Sequence, residues 1–171
     1  MQKYSLTMRF FHWIIALLVI GLLIVGFIMS DMDKSPLKFE IYGVHKSLGM
    51  TVLGLAILRW LVRITAEVPP MPDGFHWYEK LLAKLTYLFM YIALLAMPMS
   101  GYILSVAGGH PVAIFGYTLP SLLEKNDALG HLAWEIHGII AWVWVALIAL
   151  HVLGYLKHLL LDRENLLKRI T

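Results

Sequence analysis

LAWEIHGIIAWVWVALIALHVLGYLKHLLL, residues 132–161, is a long apolar stretch that contains three histidines. A transmembrane helix needs about 20 mainly apolar residues to cross roughly 30 Å of hydrocarbon, so the stretch predicts a membrane span. His137 and His151 are 14 residues apart in it. In an α-helix this spacing separates two residues by about 21 Å along the axis and rotates them by only about 40°. The two histidines therefore share one helix face at two depths.

Three further segments have the length and composition of membrane spans, at about residues 10–29, 41–64 and 81–105. Hydrophobic residues make up 60% of the 171 residues and charged residues 15%, whereas a soluble domain has about 25% charged residues. The first apolar run is too long for a signal peptide and lacks a small-residue cleavage site, so we interpret it as the first span. The sequence predicts an all-α chain, a single domain over residues 1–171 that forms an integral membrane four-helix bundle.

The distribution of basic residues predicts the orientation of the bundle, because four spans place both termini on one side. On that side the lysines and arginines are Lys3, Arg9, Arg59, Arg63, Lys80, Lys84, Lys157, Arg163, Lys168 and Arg169. The opposite side carries Lys34, Lys38, Lys46 and Lys125. Basic residues are enriched in the cytoplasmic segments of membrane proteins. Both termini are therefore predicted to be cytoplasmic.

Histidines within membrane spans are the main functional signal of this sequence. An ionisable side chain at membrane depth is costly, so it is a functional hypothesis by default. Two histidines on one helix face can each hold a haem iron from one side, and each iron then needs a second axial ligand at matching depth. His12 lies at the depth of His151, and His45 lies at the depth of His137. We therefore predict two b-type haems held by the pairs His12–His151 and His45–His137.

Other metal sites fit this pattern less well. The chain has no cysteine, which excludes iron–sulfur clusters, c-type haem attachment and thiolate metal sites. A zinc site needs four ligands at one point, whereas these histidines fall into two pairs at two depths. Copper held by two histidines is a less favoured alternative. His76, His110 and His131 are not predicted to bind iron.

Basic residues near the histidines are candidates for contact with haem propionates or substrates. Arg9 is three residues before His12, and Lys46 adjoins His45, so both are predicted to contribute to cofactor binding. Arg59 and Arg63 either contact the cytoplasmic-side haem or anchor the helix at the membrane surface. His158 could hydrogen-bond a propionate or a quinone, carry a proton, or lie among lipid headgroups. Lys46 and His158 are the candidate catalytic residues.

Several motifs, in this order and spacing, resemble those of one known family. They are RFFHW at 9–13, HKSLGM at 45–50, LRWLVR at 58–63, PMSGYILS at 98–105 and the segment from HGII to LHVLGYLKH at 137–158. Over nearly its whole length the chain resembles the bacterial cytochrome b561 family of small di-haem membrane proteins. The resemblance implies the same four ligands. The chain differs from close relatives of that family at one point. They often have two consecutive histidines where this chain has His158 followed by Leu159.

The resemblance also implies a function and a place in the cell. The family that the chain resembles includes a superoxide oxidase. That enzyme oxidises superoxide at the outer face of the bacterial inner membrane and passes electrons through the haems to ubiquinone. The alternative is a cytochrome b subunit that relays electrons between a separate dehydrogenase or hydrogenase and the quinone pool. The expected partners are membrane lipid, a quinone, and superoxide or a redox protein, with no nucleic acid. A transporter or a purely structural bundle would require the paired histidines to be coincidental.

Overall fold

Four long helices form the protein in a computed structural model that describes residues 2–72 and 74–171. The elements are α1 (Leu6–Asp31), α2 (Pro36–Thr65), α3 (Trp77–Ala107), β1 (Ala113–Ile114), β2 (Tyr117–Thr118), α4 (Asp127–Leu160) and a short 3₁₀ helix (Leu166–Arg169). Each of the four α-helices is long and apolar enough to cross a membrane. The predicted four-span helical architecture is therefore confirmed.

Capping residues make three of the helices begin earlier than the apolar runs predict. The Ser5 side chain accepts a hydrogen bond from the Met8 amide at the start of α1. Ser35 caps α2 in the same way, with Pro36 in the first turn, where its missing amide hydrogen is not needed. Asn126 caps α4. Each cap satisfies an amide that would otherwise lack a partner, so the polar first turn of the helix is stable although it contributes little to the apolar pattern.

The core of the bundle lies where all four helices meet. It is formed by the buried side chains of Ile15, Val19, Val52, Ala56, Ala93, Leu94, Trp144 and Leu147. The Trp144 indole on α4 also donates to the Ala93 carbonyl on α3, at 3.3 Å. Leu17 and Ile139 point outward and are more than half exposed. An apolar outer face of this kind suits a helix surrounded by lipid.

Both ends of the chain meet at one end of the bundle, which we call the terminal end. The Tyr4 amide donates to the Arg169 carbonyl at 3.0 Å. Trp13 on α1 donates through its indole to the Ile170 carbonyl at 3.0 Å. The buried Arg169 guanidinium donates to the Pro70 carbonyl of the α2–α3 connection at 2.7 Å. The segment after α4 therefore packs across this end of the bundle and joins three parts of the chain.

The opposite end, which we call the hairpin end, carries a small β-hairpin between α3 and α4. Ala113 pairs with Thr118 in antiparallel register, and the turn at Phe115–Gly116 has φ angles of 47° and 94°. Glycine adopts a positive φ at no steric cost, whereas phenylalanine does so rarely. Ser47 on α2 donates to the Ala113 carbonyl and accepts from the Phe115 amide. The hairpin is thereby attached to α2 two residues after His45.

Candidate functional site

Two pairs of half-buried histidines face each other across the bundle, one pair near each end. At the terminal end, the ring centroids of His12 on α1 and His151 on α4 are 6.3 Å apart. At the hairpin end, those of His45 on α2 and His137 on α4 are 6.5 Å apart. The structure thus places each histidine opposite the partner that the sequence assigns to it.

The separation within each pair matches two imidazoles that share one metal. A metal–imidazole bond is about 2.0 Å long and the ring nitrogen lies about 1.1 Å from the ring centroid, so two trans ligands have centroids about 6.2 Å apart. Among the described residues, neither pair belongs to a cluster of three or more His, Cys, Asp or Glu side chains. Two imidazoles without further protein ligands suit a haem iron, whose four equatorial ligands come from the porphyrin.

The space beside the hairpin-end pair is apolar. A small cleft with a cavity volume of about 50 Å³ is lined by His45, His137, Gly49, Pro98 and Trp144, together with apolar side chains of α1, α2 and α3. Pro98 lies inside α3, which remains helical through it. An apolar cleft between helices, with two imidazoles converging on it, has the chemistry that a porphyrin requires.

Glycine at position 101 allows the His137 ring to lie against the backbone of α3. A Cβ atom on Gly101 would lie 3.0 Å from His137 Cε1, which is tighter than most real contacts, so the ring would have to shift by a few tenths of an ångström. A Cβ atom added to Gly26 would lie 3.5 Å from His45 Cε1, which is an ordinary contact distance. A side chain at position 101 would therefore displace the His137 ring slightly, while one at position 26 would meet His45 at an ordinary contact distance.

The ring nitrogens of the hairpin-end pair have different surroundings. His137 Nδ1 is 3.0 Å from the Ser100 hydroxyl on α3. His45 Nδ1 is buried and has no hydrogen-bond partner among the described residues. A buried polar atom without a partner typically costs about 1–3 kcal/mol. The two rings therefore differ at Nδ1, since that of His137 has a hydroxyl partner and that of His45 has none among the described residues.

Arg59 on α2 contacts α1 one helical turn before His12. Its guanidinium donates to the Met8 carbonyl at 3.2 Å, and its charge acts on both His12 and His151. Arg9, which the sequence favours as a propionate partner, instead donates to the Thr171 carbonyl at 2.6 Å. The role of Arg9 in cofactor binding stays a prediction, and so does that of Arg59.

Lys46 is held close to the hairpin-end pair. Its ammonium donates to the Ser105 hydroxyl at 3.1 Å and to the Pro111 carbonyl at 3.0 Å. These contacts join α2 to the end of α3 and to the loop before the hairpin. Both acceptors are neutral oxygens, so neither of them cancels the positive charge of Lys46.

Comparison with known proteins identifies the family of the chain. The family model for prokaryotic cytochrome b561 matches residues 3–171. The chain belongs to the prokaryotic cytochrome b561 family. It is 30% identical to cytochrome b561 homolog 2 of Escherichia coli K12, in an alignment that covers 99% of this chain and 91% of that protein.

Two other members of the cytochrome b561 family show similar coverage at lower identity. The probable superoxide oxidase CybB of Yersinia pestis is 25% identical over 99% of this chain and 96% of its own length. Cytochrome b561 homolog 1 of E. coli K12 is 26% identical over 99% of this chain and 97% of its own length. The chain is therefore a multi-pass membrane electron-transfer protein, and its family implies that it binds haem b.

His158, the other candidate catalytic residue, lies in a polar cluster at the terminal end of this cytochrome b561. Its Nδ1 is 2.6 Å from the Asp162 carboxylate, and its ring stacks on Phe75 at 3.9 Å. Lys157 bridges the Asp162 and Glu79 carboxylates. Glu79, His158 and Asp162 converge as metal ligands would, but the Lys157 ammonium already compensates both carboxylates, so we infer no metal here.

The segment after α4 should lose stability only when the pH is low enough to protonate Asp162. Lys157 and His158 donate hydrogen bonds to Asp162 and hold the pKa of its carboxyl below the usual range. Ionised Asp162 therefore stabilises the fold above its unfolded pKa of about 3.9, and this contribution is lost as the pH falls through the lower folded value. The protection factors of residues 162–171 against hydrogen exchange, which correct for the intrinsic effect of pH on exchange, should not change from this cause between pH 7 and 5 and should fall below about pH 4.

Asp162→Asn is the control for this acid response. The variant should exchange faster at pH 7 than the parent protein and should lose the acid-dependent step, because its amide cannot ionise. An acid-dependent step that persists unchanged in Asp162→Asn would assign the response to another group, such as Glu79.

Ser100, Gly101 and Arg59 are the site residues that sequence reasoning missed or left open. Ser100 and Gly101 fall inside the PMSGYILS motif, where small residues in a membrane helix are usually explained by helix packing. Their position on α3 is the feature that indicates a role in the site. Because α3 contributes no histidine, its small residues face the imidazoles of the other helices. Arg59 gave no comparable signal, because an arginine near a helix end also suits simple anchoring.

Proposed function

We propose that this cytochrome b561 is a superoxide oxidase that transfers electrons from superoxide at the outer face of the bacterial inner membrane to ubiquinone. Two b haems would be held by His45–His137 at the hairpin end and by His12–His151 at the terminal end. The observation that carries the proposal is the presence of two matched histidine pairs at opposite ends of one bundle. When bound, each haem supplies one-electron redox chemistry at its depth in the membrane.

The charge distribution supports the orientation in this proposal. The basic residues are concentrated at the terminal end, where both ends of the chain meet, and the positive-inside rule assigns that end to the cytoplasm. The hairpin end is then the outer face. Superoxide would donate electrons near His45–His137, and ubiquinone would receive them near His12–His151.

Lys46 is suited to attract superoxide to the outer face. Among the other lysines at this end, Lys38 is buried against the Met32 carbonyl, and Lys125 pairs with Asp127 at 3.5 Å. Lys46 adjoins His45 and contacts only neutral oxygens in the described structure. Its positive charge is therefore available to an approaching anion, although the acidic and basic residues of the outer loops nearly balance overall.

The proton balance of the reaction gives the cluster at the terminal end a role. Two superoxide anions each lose one electron to give two molecules of oxygen, and one ubiquinone takes up two electrons and two protons to give ubiquinol. His158 holds a proton between its Nδ1 and Asp162 and lies two helical turns from His151. We propose that His158 supplies protons to the quinone, with Asp162, Lys157 and Glu79 orienting it.

The direct test follows haem absorbance and ubiquinol formation in the purified protein after addition of superoxide. We expect superoxide to reduce the protein with a rate constant near the diffusional ceiling of about 10⁸–10⁹ M⁻¹s⁻¹, and a soluble ubiquinone to reoxidise it. Superoxide dismutase should abolish both signals. Reduction too slow to compete with spontaneous dismutation would contradict this activity and favour the alternative, a subunit fed by a separate dehydrogenase or hydrogenase. A chain without a haem absorbance band would exclude both.

Lys46→Gln should slow reduction by superoxide. Removing one positive charge close to the site of reaction lowers the local concentration of the anion, and we expect a decrease of about 2–5-fold at low salt that shrinks as salt screens the charge. Stopped-flow measurement of haem reduction provides the readout. Lys34→Gln is the matched control, because Lys34 is an exposed lysine at the same end. Equal effects of the two substitutions would argue against a specific role for Lys46.

A further inference from the structure

Ser100 has a single hydroxyl hydrogen and two neighbours that compete for it. Its oxygen is 2.8 Å from the Met97 carbonyl, one helical turn earlier in α3, and 3.0 Å from His137 Nδ1 on α4. The side chain is buried, with 6% of its surface exposed, so water has little access to it. When the hydroxyl donates to Met97, it can only accept a hydrogen bond from His137.

The direction of this hydrogen bond determines which nitrogen of His137 can bind a metal. A neutral imidazole carries one hydrogen, so a ring that donates through Nδ1 has its free lone pair on Nε2. The reverse arrangement would place the hydrogen on Nε2, and that nitrogen could not act as a ligand. The His137 ring also lies directly against the α3 backbone at Gly101, and this contact limits its movement on that side.

We propose that Ser100 is a positioning residue for the outer haem. It accepts the Nδ1 hydrogen of His137, fixes the tautomer with a free Nε2 and holds the ring in place. This inference rests on the proposed function, since it assumes that His137 is an axial ligand. A hydrogen bond of this kind makes the imidazole a stronger electron donor. Ser100 therefore lowers the reduction potential of the outer haem by stabilising its oxidised state.

The two ligands of the outer haem are then unequal. His45 Nδ1 is buried without an acceptor in the described structure, so only His137 is strengthened by a hydrogen bond. No hydrogen bond to His45 therefore adds to the effect that Ser100 has on the outer haem through His137. Loss of the Ser100 hydroxyl should be visible in the properties of that haem alone.

The test compares Ser100→Ala with Ser100→Thr by redox titration and electron paramagnetic resonance of the holoprotein. Ser100→Ala should raise the reduction potential of the outer haem and shift its ferric resonance, while the inner haem stays unchanged as an internal reference. Ser100→Thr keeps the hydroxyl and should restore the parent values. Loss of the outer haem from the alanine variant, with retention in the threonine variant, would also support the proposal.

Thr86→Val is the matched control, because it removes another buried hydroxyl from α3 and should leave the outer haem unaltered. The proposal for Ser100 is overturned if the alanine variant keeps both parent potentials and both parent resonances, or if both haems shift equally. A parent protein with fewer than two distinguishable haems would instead overturn the proposed function. The two failures are therefore distinct.

Discussion

His137→Ala is expected to remove the outer haem and leave the inner haem bound. His137 is one of two imidazoles that converge at the hairpin end, 6.5 Å from His45 between ring centroids, whereas His12 and His151 form a separate pair at the other end. Loss of one axial ligand should leave His45 unable to retain the outer haem alone. The haem-to-protein ratio should fall to half the parent value, and reduction by superoxide should be lost.

His131→Ala is the control for this substitution, because it removes an exposed histidine from the same helix, six residues earlier. The His131 ring lies 3.7 Å from Glu135 and is largely in contact with solvent. Its variant should keep the parent haem content and spectrum. Full haem content in His137→Ala would contradict the assignment of His137 as a ligand. Loss of both haems from a variant that keeps its helical circular dichroism would contradict the independence of the two sites.

The pairing of the histidines was accessible from the sequence because it depends on two simple quantities. The spacing of His137 and His151 defines one helix face at two depths, and the alternation of span direction assigns His12 and His45 to those depths. Neither quantity requires knowledge of how the helices pack. The helix starts at Ser5, Ser35 and Asn126 were less accessible, since a polar first turn is stabilised by its cap rather than by the apolar pattern.

The contacts that the sequence pattern did not indicate join segments distant in the sequence. Arg9 reaches Thr171, and Glu79 reaches Lys157, across more than 70 intervening residues. The hairpin at residues 113–118 is held by Ser47, a residue of α2. Helical periodicity indicates which residues of one helix share a face. It does not indicate how the helices are rotated about their axes or where a short polar tail folds back.

His12→Ala should separate the entry of electrons from their delivery to ubiquinone. The substitution removes one proposed ligand of the inner haem and leaves the hairpin-end pair, with Lys46 and Ser100, intact. Superoxide should still reduce the remaining haem at about the parent rate, because the site of entry is unchanged. Ubiquinol formation should fall to the background rate, since the path to the cytoplasmic side would be broken.

Stopped-flow absorbance gives the reduction rate, and a separate assay of ubiquinol gives the delivery. Taken with His137→Ala, which should block both steps, the comparison determines the order of the two sites. If His12→Ala lost the inner haem but still formed ubiquinol at the parent rate, the quinone would have to react at the hairpin end. His158 and Asp162 would then have no part in proton supply, because they lie at the opposite end of the bundle from that site.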